Sequence, residues 1–493
     1  MILPAKKEFI ELMKDGKIPP VYEGIPFSPP YSLYERLASS NSFLFESVKG
    51  HEKIARYSFI GLEPCLIFKI KNGNAEIESS HRKIIQTENP LALMKTIMNS
   101  YCQENLESLP PFQGGFAGLI SYDFLHYIET LPSNAKDDIN LPDAHLFMID
   151  KLIAIDHISE KCWIIVCPGV REATGGRGVN TIDWSEKYDE ASHILSRIKK
   201  RLKNSTENVD MSFQKSKQTI EIVYEMKKQE YMDIVKHAKE YIAAGDIFQA
   251  NLSQRVAACI KDKNPWNLYR ILRSINPSPF AAFVDFGDYK IVSSSPERLL
   301  RVKDRIIDTR PIAGTRPRGR DSGEDEFMRE ELILNEKERA EHIMLIDLER
   351  NDLGRVSDYG TVKVDELMIT EDYSHVIHIV SNINGRLSAN KDCFDVIRAA
   401  FPGGTITGVP KVRCMEIIDE LEPVKRGPYT GSLGYISFTG NMDLNIIIRT
   451  FVIRGETAYV QVGAGIVSDS DPEREYHETL KKAEALIRTL EQV

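Results

Sequence analysis

The chain has 493 residues, with 63 Lys and Arg against 72 Asp and Glu, a formal net charge of −9. This length exceeds one ordinary core and predicts two domains or one large composite one, while 42% hydrophobic and 27% charged residues exclude a disordered or fibrous chain. The acidic balance argues against a non-specific polyanion binder, which needs a basic field to collect phosphates, so no nucleic-acid partner is expected.

The opening stretch MILPAKKEFIELMKDG carries lysines and acids where a signal peptide needs an uninterrupted apolar core. No apolar run approaches the roughly 18 residues of a membrane span, so a soluble, cytoplasmic protein without a membrane partner is expected. From about residue 30 to 165, short apolar runs (FLFESV, ARYSFIGL, CLIFKI, FAGLISYDF, HLFMIDKLIAI, KCWIIVC) separated by Gly, Pro and Asn predict mostly strands with a few helices. Cys65, Cys102, Cys162, Cys167, Cys259, Cys393 and Cys414 form no C-x-x-C pair and no zinc-like spacing, which suits a reducing compartment. The Gly-rich segment at 168–180 lacks the strand-then-helix context and spacing of a phosphate cradle and reads as a surface loop. A charge-rich helix is predicted at 184–204, followed by a polar stretch. These boundaries divide the chain into a β-rich N-terminal domain (1–205), a linker (206–224) and a second domain (225–493).

The second half opens with a helix, because Tyr231, Ile234, Val235, Ala238 and Ile242 recur at helical spacing and Gly245 supplies a stop. Strands are predicted at IFQANLSQRVAA, YKIVSSS, SLGYISF, LNIIIRTFVI and AYVQVGAGIV, and helices near 264–274, 324–349, 392–400, 410–421 and 472–491. Strands and helices mixed without a strict βαβ rhythm predict an α+β fold.

In the last helix, Glu475, Glu478 and Lys482 fall at i, i+3 and i+7 and share one face, apart from the stripe of Tyr476, Leu480, Ala483, Ile487 and Leu490. A charged face of this kind ordinarily meets solvent. Glu338 and Glu341 repeat the pairing in NEKERAEHIMLIDLERND, and carboxylates on two helices would suit a hard cation such as Mg²⁺. Glycine-dense turns are expected at 310–320, 401–411 and 462–472, where exposed N–H groups can hold a carboxylate. Arg449, at the end of LNIIIRT, is suited to bidentate carboxylate binding. His378 alternates with apolar residues and by pattern alone reads as a core histidine. No G-x-S-x-G or G-x-C-x-G elbow, Walker A sequence or Rossmann fingerprint is present.

The segments SSSPERLL, RPIAGTRPRG, NEKERAEHIMLIDLERNDLGRVS, HVIHIVSNINGRL, FPGGTITGVPKVRCMEIIDELEP, RGPYTGSLGYISFTGNMDLNIIIRT and VQVGAGIVSDSDPEREYHET closely resemble the chorismate-utilising enzymes. That family includes the large subunits of anthranilate and aminodeoxychorismate synthases and the isochorismate and salicylate synthases. The resemblance runs from about residue 225 to the end, and the N-terminal half resembles the leading domain of the first two. It implies an α/β sandwich, two large sheets around a core with helices outside, enclosing a Mg²⁺-dependent chorismate site. It further implies that Glu341 and Glu478 are Mg²⁺ ligands, with Glu338 and Glu475 reaching the metal directly or through water. Tyr429, Arg449, the Gly463–Ala464–Gly465 backbone and Lys482 match positions that hold the substrate carboxylates. Thr405 matches a residue contacting the ring substituents, and Glu297 and His378 match general acid/base positions beside the C4 hydroxyl. The charged helix face is then expected to be buried against metal and substrate.

Isochorismate and salicylate synthases resemble one another in placing a lysine base in the strand that here reads FQANLSQR, where this chain has Gln249, which cannot take a proton. Ammonia is therefore the expected nucleophile, from solution or from a separate glutamine amidotransferase subunit. In the turn Ala313–Gly314–Thr315, Ala313 stands where some aminodeoxychorismate synthases carry a lysine, whereas FPGGTITG, YTGSLGYISF, SPFAAF and Asn251 resemble the aminodeoxychorismate branch. The expected product is 4-amino-4-deoxychorismate. The alternatives are anthranilate with pyruvate, or a non-catalytic regulatory subunit that binds a chorismate-like ligand. Glu46, Ser47, Pro279 and Phe280 resemble segments lining the family's tryptophan site, and ordinary packing is the competing reading.

Overall fold

The computed structural model describes residues 1–13, 16–51, 53–79, 82–176, 181–204, 220–372 and 376–493. Two antiparallel sheets dominate. The first runs in the order Ile2–Leu3, Val21–Ile25, Lys161–Val166, Lys151–Asp156, Tyr57–Gly61, Ser42–Glu46, Phe280–Asp285, Tyr289–Ser295, Thr450–Arg454, Thr457–Ile466, Gln249–Cys259 and Ile222–Tyr224, with Gly408–Val409 pairing onto Gln249–Cys259. The second runs Ile312–Pro317, Val376–Arg386, Ile306–Thr309, Arg298–Lys303, Met442–Asn445, Ser432–Ser437, Gly115–Ile120, Ala144–Ile149, Leu66–Lys71, Asn74–Glu78 and Arg82–Gln86, with Lys363–Asp372 against Val376–Arg386. Strands from before residue 205 and after residue 225 neighbour each other in both sheets: Phe45 is paired with Ala282, and Gly115 with Ser437.

Side chains alternate across a strand, and here the two faces enter different cores. Phe43 and Phe59 of the first sheet pack with Phe147, Leu433 and Tyr435 of the second, filling the space between them. Leu44, Ile60 and Ile153 belong to a second cluster that includes Leu195 and Ile198 of the helix Trp184–Asn204. Apolar runs such as HLFMIDKLIAI are continuous because both faces are buried. The result is the expected α+β sandwich with helices outside the sheets.

Several expectations need correction. LNIIIRTFVI is two strands, Met442–Asn445 in the second sheet and Thr450–Arg454 in the first, joined by a crossing segment that ends at Arg449 with φ +52. The helix expected over 324–349 is two, Ser322–Leu334 and Glu336–Gly354. They break at Asn335, whose side chain accepts the Glu338 N–H and caps the second. The expected turns at 310–320 and 462–472 are in large part strand, Ile312–Pro317 and the end of Thr457–Ile466. Of the linker expected at 206–224, residues 206–219 lie outside the described residues, as do 177–180 of the Gly-rich loop, whose 170–174 part is helical.

Candidate active site

The site draws on strands of both sheets, Gln249–Cys259 and Thr457–Ile466 of the first and Ile312–Pro317 and Val376–Arg386 of the second, and Glu297 links them, taking the Ile312 N–H and feeling the charges of Arg449 and Lys482. The helices Glu336–Gly354 and Pro472–Leu490 contribute acidic residues to it. Glu297 sits between the strands Tyr289–Ser295 and Arg298–Lys303 and is 6% exposed. Thr405 Oγ1 donates to its Oε1 at 2.9 Å. Burial pushes the Glu297 carboxyl up to about 7, against the opposing pull of the Thr405 hydroxyl, the Ile312 N–H, and the charges of Arg449 and Lys482. A carboxyl so placed keeps a protonated fraction near neutral pH and can give that proton up, as a general acid must.

His378 is buried on Val376–Arg386, directly opposite Thr315 in the neighbouring strand. Its Nδ1 lies 3.2 Å from the Gly314 carbonyl and 2.9 Å from Thr315 Oγ1. Because a carbonyl only accepts, Nδ1 carries the hydrogen and Nε2 the lone pair of the neutral ring. Burial, then the charge of Arg449, lowers its pKa to about 4, so the ring stays neutral near pH 7. The register shifts between Ala313 and Thr315, and Gly314 there has φ +60. The positive φ favours glycine, and a Cβ on Gly314 would come within 2.9 Å of Glu338 Oε2, so a larger residue would be strained and would displace that carboxylate.

The strand Thr457–Ile466 supplies the other wall. Lys482 Nζ donates to the Gly463 carbonyl at 3.0 Å and lies 2.8 Å from Glu478 Oε1. A Cβ on Gly463 would meet Asn251 Oδ1 at 2.6 Å and the Tyr429 hydroxyl at 2.7 Å, so these groups converge on bare backbone. Gln249 lies beside Gly465. The side-chain oxygens of Gln249 and Asn251 are buried without a hydrogen-bond partner among the described residues, as polar atoms awaiting a ligand would be.

Glu338, Glu341, Glu475 and Glu478 form the acidic side. Burial is the main cause raising the Glu341 carboxyl to about 7; Lys337 opposes this, and the negative charges of Glu338, Asp469 and Glu475 add to it. Glu475 is likewise raised by burial, opposed by its 2.7 Å hydrogen bond from Ser470. Among the described residues no three acidic, His or Cys side chains close into a ready ligand set. The donors are nonetheless all oxygens and their charges repel, which fits a hard divalent cation that keeps several of its waters. Protein atoms alone leave the Glu478 and Lys482 side chains 50% and 45% exposed, so the expected burial of this face would have to come from its ligands.

Sequence reasoning missed the support beneath the site. Arg426 donates through Nε and Nη2 to Glu422 at 2.9 and 2.7 Å, with both side chains almost fully buried. It also donates to the carbonyls of Ile406 at 2.9 Å and Asn251 at 2.6 Å, and its guanidinium lies 5.6 Å from the centre of the Tyr429 ring. Glu422 accepts the Ser253 N–H at 2.8 Å. Only the adjacency of charged residues to DELEP and RGPY hinted at this pair.

The fold and the site residues both point to one family, and the profile described as chorismate binding enzyme matches residues 33–488. The chain belongs to the chorismate-binding enzyme family. It is 44% identical over 499 residues to anthranilate synthase component 1 of Acetivibrio thermocellus, covering 100% of this chain and 99% of the relative. It is 41% identical over 476 residues to aminodeoxychorismate synthase component 1 of Bacillus subtilis (strain 168), covering 96% and 97%. Among solved structures, anthranilate synthase component I from Streptococcus pneumoniae TIGR4 superposes with a TM-score of 0.76 at 34% identity, covering 88% of this chain and 92% of that one. The menaquinone-specific isochorismate synthase of Escherichia coli, 18% identical with a TM-score of 0.71 over 99% of each chain, shares the fold.

A separate cavity of about 400 Å³ lies between the sheets, lined by Glu46, Ser47, Pro279, Phe280, Arg298 and Tyr435 among others. Its lining includes none of the groups placed round Glu297. Ser47 Oγ donates to the Tyr57 and Pro279 carbonyls at 2.8 and 3.1 Å, and the Glu46 carboxylate is held by Arg273 at 2.9 and 2.8 Å. Among the described residues no helix is long and apolar enough to cross a membrane.

Proposed function

We propose that this chorismate-utilising enzyme aminates chorismate with ammonia and releases 4-amino-4-deoxychorismate. The observation that carries the choice of nucleophile is Gln249. Its side chain lies on the site wall beside Gly465, where a water-using enzyme needs a base, and an amide cannot take the proton. Asn251, which resembles the aminodeoxychorismate branch, faces the same wall with its buried oxygen.

In this reading Arg449, Lys482, Tyr429 and the Gly463–Gly465 backbone hold the substrate carboxylates, and Thr405 orients the ring hydroxyl beside Glu297. Glu297 protonates the departing hydroxyl, and neutral His378 accepts or returns a proton on the ring at Nε2. Glu341 and Glu478, with Glu338 and Glu475, would hold Mg²⁺, which when bound offsets the carboxylate charge. Ammonia would come from solution or from a separate glutamine amidotransferase subunit, consistent with relatives named component 1.

The second reading, anthranilate with pyruvate, is favoured by Ala313 and by the 44% identical relative of that name. Incubating the chain with chorismate, Mg²⁺ and ammonium separates the two. Direct anthranilate fluorescence would establish the second reading, and a product converted to 4-aminobenzoate only after a lyase is added establishes the first. We read the cavity between the sheets as a tryptophan pocket. Calorimetric titration with tryptophan tests it, and an absence of heat that persists in the presence of Mg²⁺ and chorismate would return these residues to ordinary packing.

A further inference from the structure

Glu349 is a buried carboxyl for which the chemistry above has no use. It lies in the helix Glu336–Gly354 and is 4% exposed. Its carboxylate takes the N–H of Gly404, and the next residue, Thr405, holds Glu297. Consecutive residues of one short turn, Gly404–Ile406, thus grip both carboxyls. Gly404 is closely packed here: a methyl on it would lie 2.3 Å from Leu348 Cδ2 and 3.4 Å from Glu349 Oε1, so bare glycine backbone stands between these side chains and the turn. Leu348 also lines a surface groove of about 720 Å³, together with Asp352, Lys411, Phe401 and Phe248. Lys411 is ion-paired with Asp352 and donates to the Ala400 carbonyl at 3.1 Å. The charged groups facing Glu349 are therefore Asp352, Lys411 and Glu297. Burial and the negative charge of Asp352 raise its carboxyl, Lys411 and the Gly404 N–H oppose this, and Glu297 adds to it.

The attacking nitrogen must be uncharged, whereas ammonium predominates in neutral water. Resting on the reading of this chain as an aminating enzyme, we propose that Glu349 takes the proton from ammonium that enters by the Asp352–Lys411 groove, so that ammonia passes the Gly404 wall. An N–H bond of ammonium breaks, its proton goes to a Glu349 oxygen and the electron pair stays on nitrogen. Ammonia forms the C–N bond as the ring hydroxyl leaves with the Glu297 proton as water. The proton on Glu349 then replaces the one Glu297 gave up. Ammonium and substrate become the protonated amine and water with no further reactant.

The test follows chorismate consumption by the full chain with Mg²⁺ and varied ammonium chloride from about pH 7 to about pH 9.5, a range that spans the ammonium titration. Glu349→Gln is expected to lower kcat/KM for ammonium about 10-fold near pH 7 with the chorismate KM unchanged, the deficit closing at the alkaline end as free ammonia becomes abundant. Glu349→Asp should keep the wild-type profile. A deficit equal at every pH, or one explained by the chorismate KM, overturns the assignment while leaving amination intact. A wild-type chain that consumes no chorismate with ammonium sinks both. If Glu349→Gln does not fold, Lys411→Gln serves instead. Removing that cation raises the neighbouring carboxyls, so the rise in ammonium kcat/KM should move to higher pH, and an unmoved profile overturns the proposal.

Discussion

Thr405 and Glu297 meet through a 2.9 Å hydrogen bond from Oγ1 to Oε1, the threonine from a short turn and the glutamate from a link between strands of different sheets. The hydroxyl favours the charged carboxylate and so restrains the upward push of burial. Glu297→Gln should therefore lower kcat by about 10²- to 10⁴-fold, the usual worth of a general acid, with little change in chorismate KM. Thr405→Val should act differently, moving the alkaline limb of the rate profile upward. Steady-state kinetics on both variants checks this, and an unshifted limb in Thr405→Val counts against the assignment.

The pH dependence of kcat/KM for chorismate, measured at constant free ammonia, should have two limbs. Glu297, raised to about 7, must be protonated to act, so the rate falls as pH rises through that value. His378, lowered to about 4, must be neutral, so the rate falls again as pH drops through that value. His378→Gln should remove the acid limb along with most of the activity.

Gln249→Lys would place an amine beside Gly465. With a base available, water should compete as nucleophile, and an isochorismate-like hydroxylated product should form without ammonium. Chromatography of ammonium-free reactions detects it, and absence of that product would mean that position 249 does not choose the nucleophile.

Metal removal tests the acidic wall. Chelation should abolish turnover and added Mg²⁺ should restore it. Glu341→Gln should raise the Mg²⁺ concentration needed for half activity by about 10- to 100-fold, in the range seen when groups that tune a metal site are lost. An unchanged requirement in Glu341→Gln would remove that residue from the ligand set.

Arg426→Met leaves Glu422 charged and buried, which should cost about 3–5 kcal/mol and lower Tm in a thermal scan. Chorismate KM should rise in the folded fraction, because Arg426 also ties down Asn251 and the turn before Tyr429.

The elements most legible in the sequence were those whose signal is local. The helix Trp184–Asn204 coincides with its charge-rich stripe, and Pro472–Leu490 begins after the Asp471 cap with Pro472 in its first turn. The misread elements depend on distant partners. Nothing local in LNIIIRTFVI says that the chain leaves one sheet for the other after Asn445, and the break at Asn335 was masked by helix-forming residues on both sides. The site had the same limit. Spacing put Glu475, Glu478 and Lys482 on one face, but only the fold brings Gly463 against Lys482 and Thr315 against His378. Glu422 and Arg426 carry no local sign of burial, since a buried pair and an exposed one share the same i, i+4 spacing.

The alternation of early and late strands within both sheets bears on synthesis. Gly115–Ile120 pairs with Ser432–Ser437, and Ser42–Glu46 pairs with Phe280–Asp285. A strand made early must therefore wait, with an open hydrogen-bonding edge, until its neighbour leaves the ribosome, and long-range pairing of this kind is slow. Release of nascent chains halted after Ile275 should yield aggregates, whereas chains halted past Leu490 should yield enzyme. The emerging first half is the form of this protein most in need of a chaperone.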